Sequence, residues 1–137
     1  YGETVILNVT REPIGTRTEL TSRILPNNLT AEDFLNGQVV SHQSFIPKRS
    51  LCKAYSLKYT CSADIDWQLD ILTKAKSIVK TKSPISKYLQ GGISDTQLST
   101  CWKERFQILL KHFNWFRVFW QHFKFAVRFL KNGAYKS

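Results

Sequence analysis

The spacing of apolar residues changes period near residue 62. Before it, Thr4-Val5-Ile6-Leu7-Asn8-Val9-Thr10 is β-branched and predicts a strand, and Pro13, Gly15 and Pro26-Asn27-Asn28 punctuate the next twenty residues. Residues 18–25 predict a second, weaker strand. Thr30-Ala31-Glu32-Asp33 has the form of a capping box with Asp in place of Glu, which predicts a short helix through Phe34 and Leu35 that stops at Asn36-Gly37. Residues 38–46 and 51–61 predict two further strands split by Pro47-Lys48-Arg49-Ser50. Connections this short favour antiparallel pairing.

After residue 62 the period is about 3.6. Ser62 or Asp64 caps a predicted helix whose stripe is Ile65, Leu69, Leu72, Ala75, Ile78 and Val79, and which ends before Ser83-Pro84, because proline disfavours helix in the residue before it. A short segment, 85–89, runs into the breaker Gly91-Gly92. Ser94, Asp95 or Thr96 then caps a final helix that reaches about Lys131 and stops at Asn132-Gly133, a length of roughly 50 Å at ~1.5 Å per residue. The expected architecture is α+β: a small antiparallel sheet from the N-terminal half, packed on two main C-terminal helices of which the last is long and aromatic-rich. The 137 residues form one domain, with strands and turns over 1–65 and helices over 66–137.

The final helix carries most of the information. Trp102, Phe106, Leu109, Phe113, Phe116, Trp120, Phe123, Val127 and Leu130 recur at alternating intervals of four and three, an unbroken heptad seam. Because Phe and Trp dominate it, packing into a mixed core is expected before pairing with an identical helix. Trp115, Val118, Phe119, Phe125 and Phe129 lie off the seam, so the far half of the helix is apolar on more than one side and calls for deep burial, a partner or lipid. Lys103, Asn114, Arg117, Gln121, Lys124, Arg128 and Lys131 form a polar stripe of one sign, readable as an anion-binding face or as the solvated side of a greasy helix. Charges at 103, 104, 105, 111, 117, 124, 128 and 131 exclude a membrane-spanning segment.

Charge sharpens this picture. The chain holds 20 Lys and Arg against 10 Asp and Glu, a formal charge of +10, with 42% hydrophobic and 13% aromatic residues, a composition that excludes intrinsic disorder. Residues 1–65 carry seven basic and six acidic side chains, while 66–137 carry thirteen and four. Lys74, Lys76, Lys80, Lys82 and Lys87, with Arg117, Lys124, Arg128 and Lys131, are the candidate anion, lipid or nucleic-acid contacts. Trp102, Phe106, Phe113, Phe116, Trp120 and Phe123 are the candidate aromatic core or partner face.

Residue types that do chemistry are present without the spacing that chemistry needs. Asp64, Asp66 and Asp70 cluster at a helix start, where carboxylates cap and favour the dipole. His42, His112 and His122 have no metal-ligand spacing, and no phosphate loop surrounds Gly91-Gly92. No metal, cofactor or small-molecule substrate is expected, and no sequence-specific nucleic-acid motif is present. Cys52, Cys61 and Cys101 are odd in number and are expected as reduced thiols; in a continuous strand Cys52 and Cys61 would lie roughly 30 Å apart. The sequons Asn8-Val9-Thr10 and Asn28-Leu29-Thr30 keep a secreted protein in view, one in which Cys52 or Cys61 pairs with Cys101. The chain begins Tyr1-Gly2 without any Met, so the true start is expected to be missing, and the absence of a targeting segment from this sequence decides nothing.

These features lead to the expectation of a non-enzymatic, basic structural or interaction protein that docks on an anionic surface, the inner leaflet of a membrane or a nucleoprotein, and self-associates. Its character suits a viral matrix or nucleocapsid-associated component in a reducing compartment or virion interior. A sequence-tolerant RNA or DNA binder and a secreted receptor-binding ligand are the alternatives.

Overall fold

A computed structural model describes residues 1–21, 23–91 and 97–132; the side chains at 98, 125, 126 and 128–132 lie outside the described part. The fold is α+β, with a small sheet near the N-terminus and helices dominating the C-terminal half. Strand β1 (Thr4–Leu7) is central, β2 (Pro13–Thr16) pairs with it antiparallel, and β3 (Ser86–Leu89) pairs with its other edge in parallel. The sheet is therefore mixed, and its third strand comes from the second half of the chain. A parallel partner needs a long crossover, and residues 8–85 supply one. Thr4, Ser44 and Ser86 join their hydroxyls beneath the sheet, so a buried polar cluster ties β1 and β3 to the turn at 42–44.

Three of the expected strands are not strands. Residues 18–25 instead contain a one-turn helix, α1 (Arg17–Leu20), because Thr16 and Glu19 satisfy each other's backbone N–H groups in a capping box. The segments 38–46 and 51–61 hold 3-10 turns at His42–Ser44 and Arg49–Leu51. Val39 and Val40 are both buried, so this stretch presents consecutive rather than alternating residues to the core. The expected helix start at Thr30 is found, as the 3-10 helix Ala31–Asn36: Asp33 accepts from the Thr30 N–H at 2.7 Å, and Gly37, at φ 128°, ends the element. Phe34 and Leu35 point from it into the core.

Helix α2 (Ala63–Leu72) stops a full ten residues before Ser83. Its buried face, Ile65, Leu69 and Leu72, ends at Thr73, and the continuation of the stripe finds no core to enter: Ile78 and Val79 are exposed on an extended segment whose Thr81 N–H donates to the Tyr1 carbonyl. The final helix is two helices, α3 (Leu98–His112) and α4 (Trp115–Asn132). At Phe113 the backbone is extended, φ −130° and ψ 158°, and Asn114 restarts the helix by accepting the Phe116 N–H on Oδ1 at 2.9 Å. The expected caps at 94–96 and the stops at Gly92 and Gly133 lie outside the described residues.

The core lies away from the sheet. It is formed where the 3-10 helix 31–36, α2, α3 and α4 meet, with Phe34, Val40, Leu69, Ile108, Leu109 and Val118 essentially sealed from solvent. Side chains from α3 and α4 secure the 3-10 helix: the Arg105 guanidinium donates to the Phe34 and Leu35 carbonyls at 3.1 and 3.4 Å, the first of which also accepts the Gly37 N–H, and this pins the end of the 3-10 helix to α3. Replacing Asn114 by Ala removes the cap of α4 and is expected to cost about 1 kcal/mol, whereas Asn114→Gly costs a few tenths. Urea unfolding of the two variants against the parent checks the order.

Candidate functional site

The surface that stands out is the outer side of α4. At about 100° per residue, Trp115, Phe119, Phe123, Phe116 and Trp120 fall on one arc, and Arg117 and Lys124 on the next. Gln121, Val118 and His122 fill the remaining arc, with His122 next to Trp115. The helix lies on the protein with this last group inward. Val118 is fully buried. His122 hydrogen-bonds through Nδ1 to the Val118 carbonyl and packs edge-on against Phe106 with ring centroids 4.8 Å apart. Burial holds the His122 imidazole below its usual pKa, which keeps it neutral where it sits.

Two polar contacts set the angle of the helix. Arg117 donates to both Glu32 carboxylate oxygens, at 2.9 and 2.8 Å, and Gln121 Nε2 donates to Asn36 Oδ1 at 2.7 Å. Both partners belong to the 3-10 helix 31–36. The Arg117 hydrogen bonds and charge hold the exposed Glu32 carboxyl below its ordinary range. The polar stripe read from the sequence is thus used in part for seating α4, and Arg117 is committed to Glu32.

The aromatic face is left outside. Trp115, Phe116, Phe119, Trp120 and Phe123 are each between 56% and 66% exposed. Their rings touch one another: Trp115 packs edge-on to Phe116 and Phe119 at 5.3 and 6.3 Å, and Trp120 stacks on Phe123 at 6.0 Å. Lys124 Nζ lies 5.7 Å from the Trp120 ring centroid, a cation set at the border of the apolar arc. The heptad seam is split by the break at Phe113. Leu109 is buried and Phe106 and Phe113 pack against the core, while Phe116, Trp120 and Phe123 face outward, as does Trp102 at the other end of α3. The expectation of one continuous core helix is corrected accordingly: among the described seam residues Leu109, Phe106 and Phe113 enter or pack on the core, and Trp102, Phe116, Trp120 and Phe123 do not.

The lysine group over 74–87 is dispersed by the end of α2 at Leu72. Lys74 reaches Asp70 at 3.9 Å, and Lys80 Nζ donates to the Leu25 carbonyl and Asn27 Oδ1 at 3.2 and 2.9 Å. Lys76, Lys82 and Lys87 are exposed, the first two on connecting segments and the last on β3. Arg128 and Lys131 belong to the last turns of α4, and their side chains lie outside the described residues.

The acids of α2 are engaged beyond its N-terminus, although Asp64 Oδ1 also accepts the Ile65 N–H there at 2.9 Å. Asp66, nearly buried, accepts from Lys111 Nζ at 2.8 and 3.0 Å and meets His112 Nε2 at 2.8 Å. Burial alone would raise its pKa, but the hydrogen bonds and charges of Lys111 and His112 outweigh that and hold it below the usual value. Asp64 accepts from Gln38 and pairs with His42 at 3.2 Å, and Asp70 faces Lys53 and Lys74.

Glu104, the one acid in the basic run after Asp95, has a role that the sequence signalled only by its isolation. Its carboxylate accepts from the Thr60 N–H and hydroxyl, the Cys61 N–H and the Ser62 N–H, all at 2.8–2.9 Å, and these bonds hold it low despite desolvation. The loop before α2 is thereby fastened to α3, and Cys61 is brought beside Cys101. Cys52 bonds to the Lys48 carbonyl instead.

Among the described residues no helix is long and apolar enough to cross a membrane, and no three His, Cys, Asp or Glu side chains are grouped to hold a metal ion. Comparison with protein-family models, with curated proteins and with solved structures finds no match to this chain.

Asp66 gives a pH dependence of defined sign. A carboxyl whose folded pKa lies below its unfolded value contributes stability that is complete above the unfolded value near 3.8 and is lost as pH falls through the folded one. Asp66→Asn is therefore expected to cost roughly 2 kcal/mol at pH 7, with the difference from the parent shrinking as pH falls below 3.8. Urea titrations at pH 7 and pH 3 read this directly.

Proposed function

We propose that the chain is a non-enzymatic, peripheral membrane-docking protein that binds anionic lipid surfaces by laying the outer face of α4 into the headgroup region. The observation that carries this reading is the row of five largely exposed aromatic side chains on one arc of an 18-residue helix whose opposite side is seated on the core. Contiguous aromatic surface on this scale is costly to leave in water and uncommon on a monomer without a partner. Phe and Trp on one side with cations at the border is the composition of interfacial helices: the rings bury to the depth of the acyl boundary while Lys124 stays with the phosphates. The formal charge of +10 supplies long-range attraction to an anionic leaflet, to which exposed Lys76, Lys82 and Lys87 add without needing to touch it. Two-dimensional concentration on such a surface would favour self-association, the matrix-like part of the reading.

Two observations favour a second reading, a secreted ligand whose aromatic face meets a receptor. Cys61 and Cys101 are neighbours, and Asn28 of the second sequon is exposed. A count of free thiols and of glycan on the protein from its native source separates the two.

Flotation with liposomes tests the leading reading. Binding is expected with phosphatidylserine-containing vesicles, weakly or not at all with neutral ones, and is expected to survive moderate salt and a nucleic-acid competitor. The triple variant Phe116→Ser, Trp120→Ser, Phe123→Ser is expected to lose at least about tenfold in affinity, and Lys124→Glu roughly fivefold. Circular dichroism of each variant establishes that the helices persist. Absence of flotation with anionic vesicles, or a triple variant that binds as the parent does, refutes the reading. Competition by nucleic acid would instead favour stacking of bases on Trp120 and Phe123.

A further inference from the structure

We infer that Cys61 and Cys101 are a thiol–disulfide exchange site that closes to an intramolecular bridge on reaction with a small-molecule disulfide such as oxidised glutathione. The site is independent of the docking surface on α4. Three residues of α3 and the segment leading into it form its floor. Cys101 donates its N–H to the Gln97 carbonyl at 3.0 Å, so Gln97, Cys101 and Glu104 stand one above another at intervals of four and three on a single helix face. Cys61 touches the residues on either side of Cys101. Its Sγ bonds to Gln97 Oε1 at 3.5 Å and its N–H donates to Glu104 Oε2 at 2.8 Å. A third tie, from Ser62 Oγ to the Cys101 carbonyl at 3.4 Å, fixes the next residue over the same spot. The Cys61 side chain therefore lies over Cys101, and the two thiols interact. Glu104 holds the Cys61 backbone in place on this face of α3.

The chemistry assigns different parts to the two sulfurs. Burial, and then the neighbouring Cys61 thiol, push Cys101 up to about 12, so Cys101 holds its proton and exchange starts on Cys61. The Cys61 thiolate attacks one sulfur of oxidised glutathione; the protein–glutathione mixed disulfide forms and one glutathione thiolate leaves and takes up a proton. Cys101 gives up its proton, attacks Cys61 Sγ and releases the second glutathione. Two electrons pass from the two cysteines to the glutathione disulfide, and two thiols leave as reduced glutathione. The bridge would join the N-terminal end of α2 to α3, closing a loop of about forty residues that includes α2 and β3. Cys52, held at the Lys48 carbonyl, takes no part.

The test is equilibration of the full chain in mixtures of oxidised and reduced glutathione, followed by denaturing alkylation and intact-mass analysis with peptide mapping. The expected product is lower in mass by two hydrogens, free of bound glutathione, linked 61 to 101, and labelled once, at Cys52. Cys52→Ser is expected to form the same bridge, while Cys101→Ser stops at a mixed disulfide on Cys61. The oxidised parent is expected to melt higher than the reduced one by on the order of 10 °C. Three labelled cysteines at strongly oxidising ratios, a bridge that includes Cys52, or a parent that accumulates glutathione adducts without closing would each overturn the inference.

Discussion

The extended backbone at Phe113 is the constraint on which the rest of the C-terminal half depends. A straight helix from 98 to 132 would carry its heptad seam along one side, and burying Leu109 would commit Phe116, Trp120 and Phe123 to the same core. Two residues outside the helices, Phe113 extended and Asn114 restarting the hydrogen-bonding, release α4 from that obligation. The second helix then settles with Val118 and His122 inward and its aromatic arc outward. Apolar surface that the sequence supplies for a core ends up on the exterior, and the docking proposal grows out of that inversion.

Holding such a helix in place requires polar contacts, because its most apolar side contributes little to seating it. Arg117 on Glu32 and Gln121 on Asn36 do this against the 3-10 helix 31–36, which Arg105 in turn secures from α3. The pair of Arg117 and Glu32 is exposed, so its contribution is one of direction more than of strength. Deeper in, Asp66 gathers Lys111 and His112, and Glu104 gathers three backbone N–H groups of the loop before α2. Much of the basic excess of the second half is thus divided between cations that build the fold, Arg105, Lys111 and Arg117, and cations that face water, Lys76, Lys82, Lys87 and Lys124.

Local signals carried as far as local chemistry decides. The capping box at Thr30 and Asp33 placed a helical element correctly, β1 was visible in its β-branched run, and the α+β class was legible in the change of period near residue 62. A second capping box, Thr16 to Glu19, sets the one-turn helix where a weak strand was expected over 18–25. The strand expected over 38–46 failed because both Val39 and Val40 are wanted by the core, which a pleated strand cannot provide from one face, and over 51–61 the chain forms turns instead, with Leu57 left exposed. Nothing local predicts β3 as the parallel partner of β1, since that pairing joins residues some eighty positions apart. The aromatic residues of the candidate surface were singled out by spacing alone, but their exposure depends on Phe113, whose apolar side chain fits the seam and gives no sign of a break. The approach of Cys61 to Cys101 is likewise set by Glu104, visible in the sequence only as an acid among bases.

Quenching of tryptophan fluorescence by brominated anionic lipid tests the central claim most directly, because Trp115 and Trp120 lie on the outer arc of α4 while Trp67 packs between Phe45 and Tyr55. Docking through α4 predicts strong quenching of the parent on addition of brominated phosphatidylserine vesicles, and a large fall in that quenching in the variant Trp115→Phe, Trp120→Phe, which keeps the face apolar. A parent whose emission is unaffected by the brominated vesicles, or a variant quenched as fully as the parent, would contradict it.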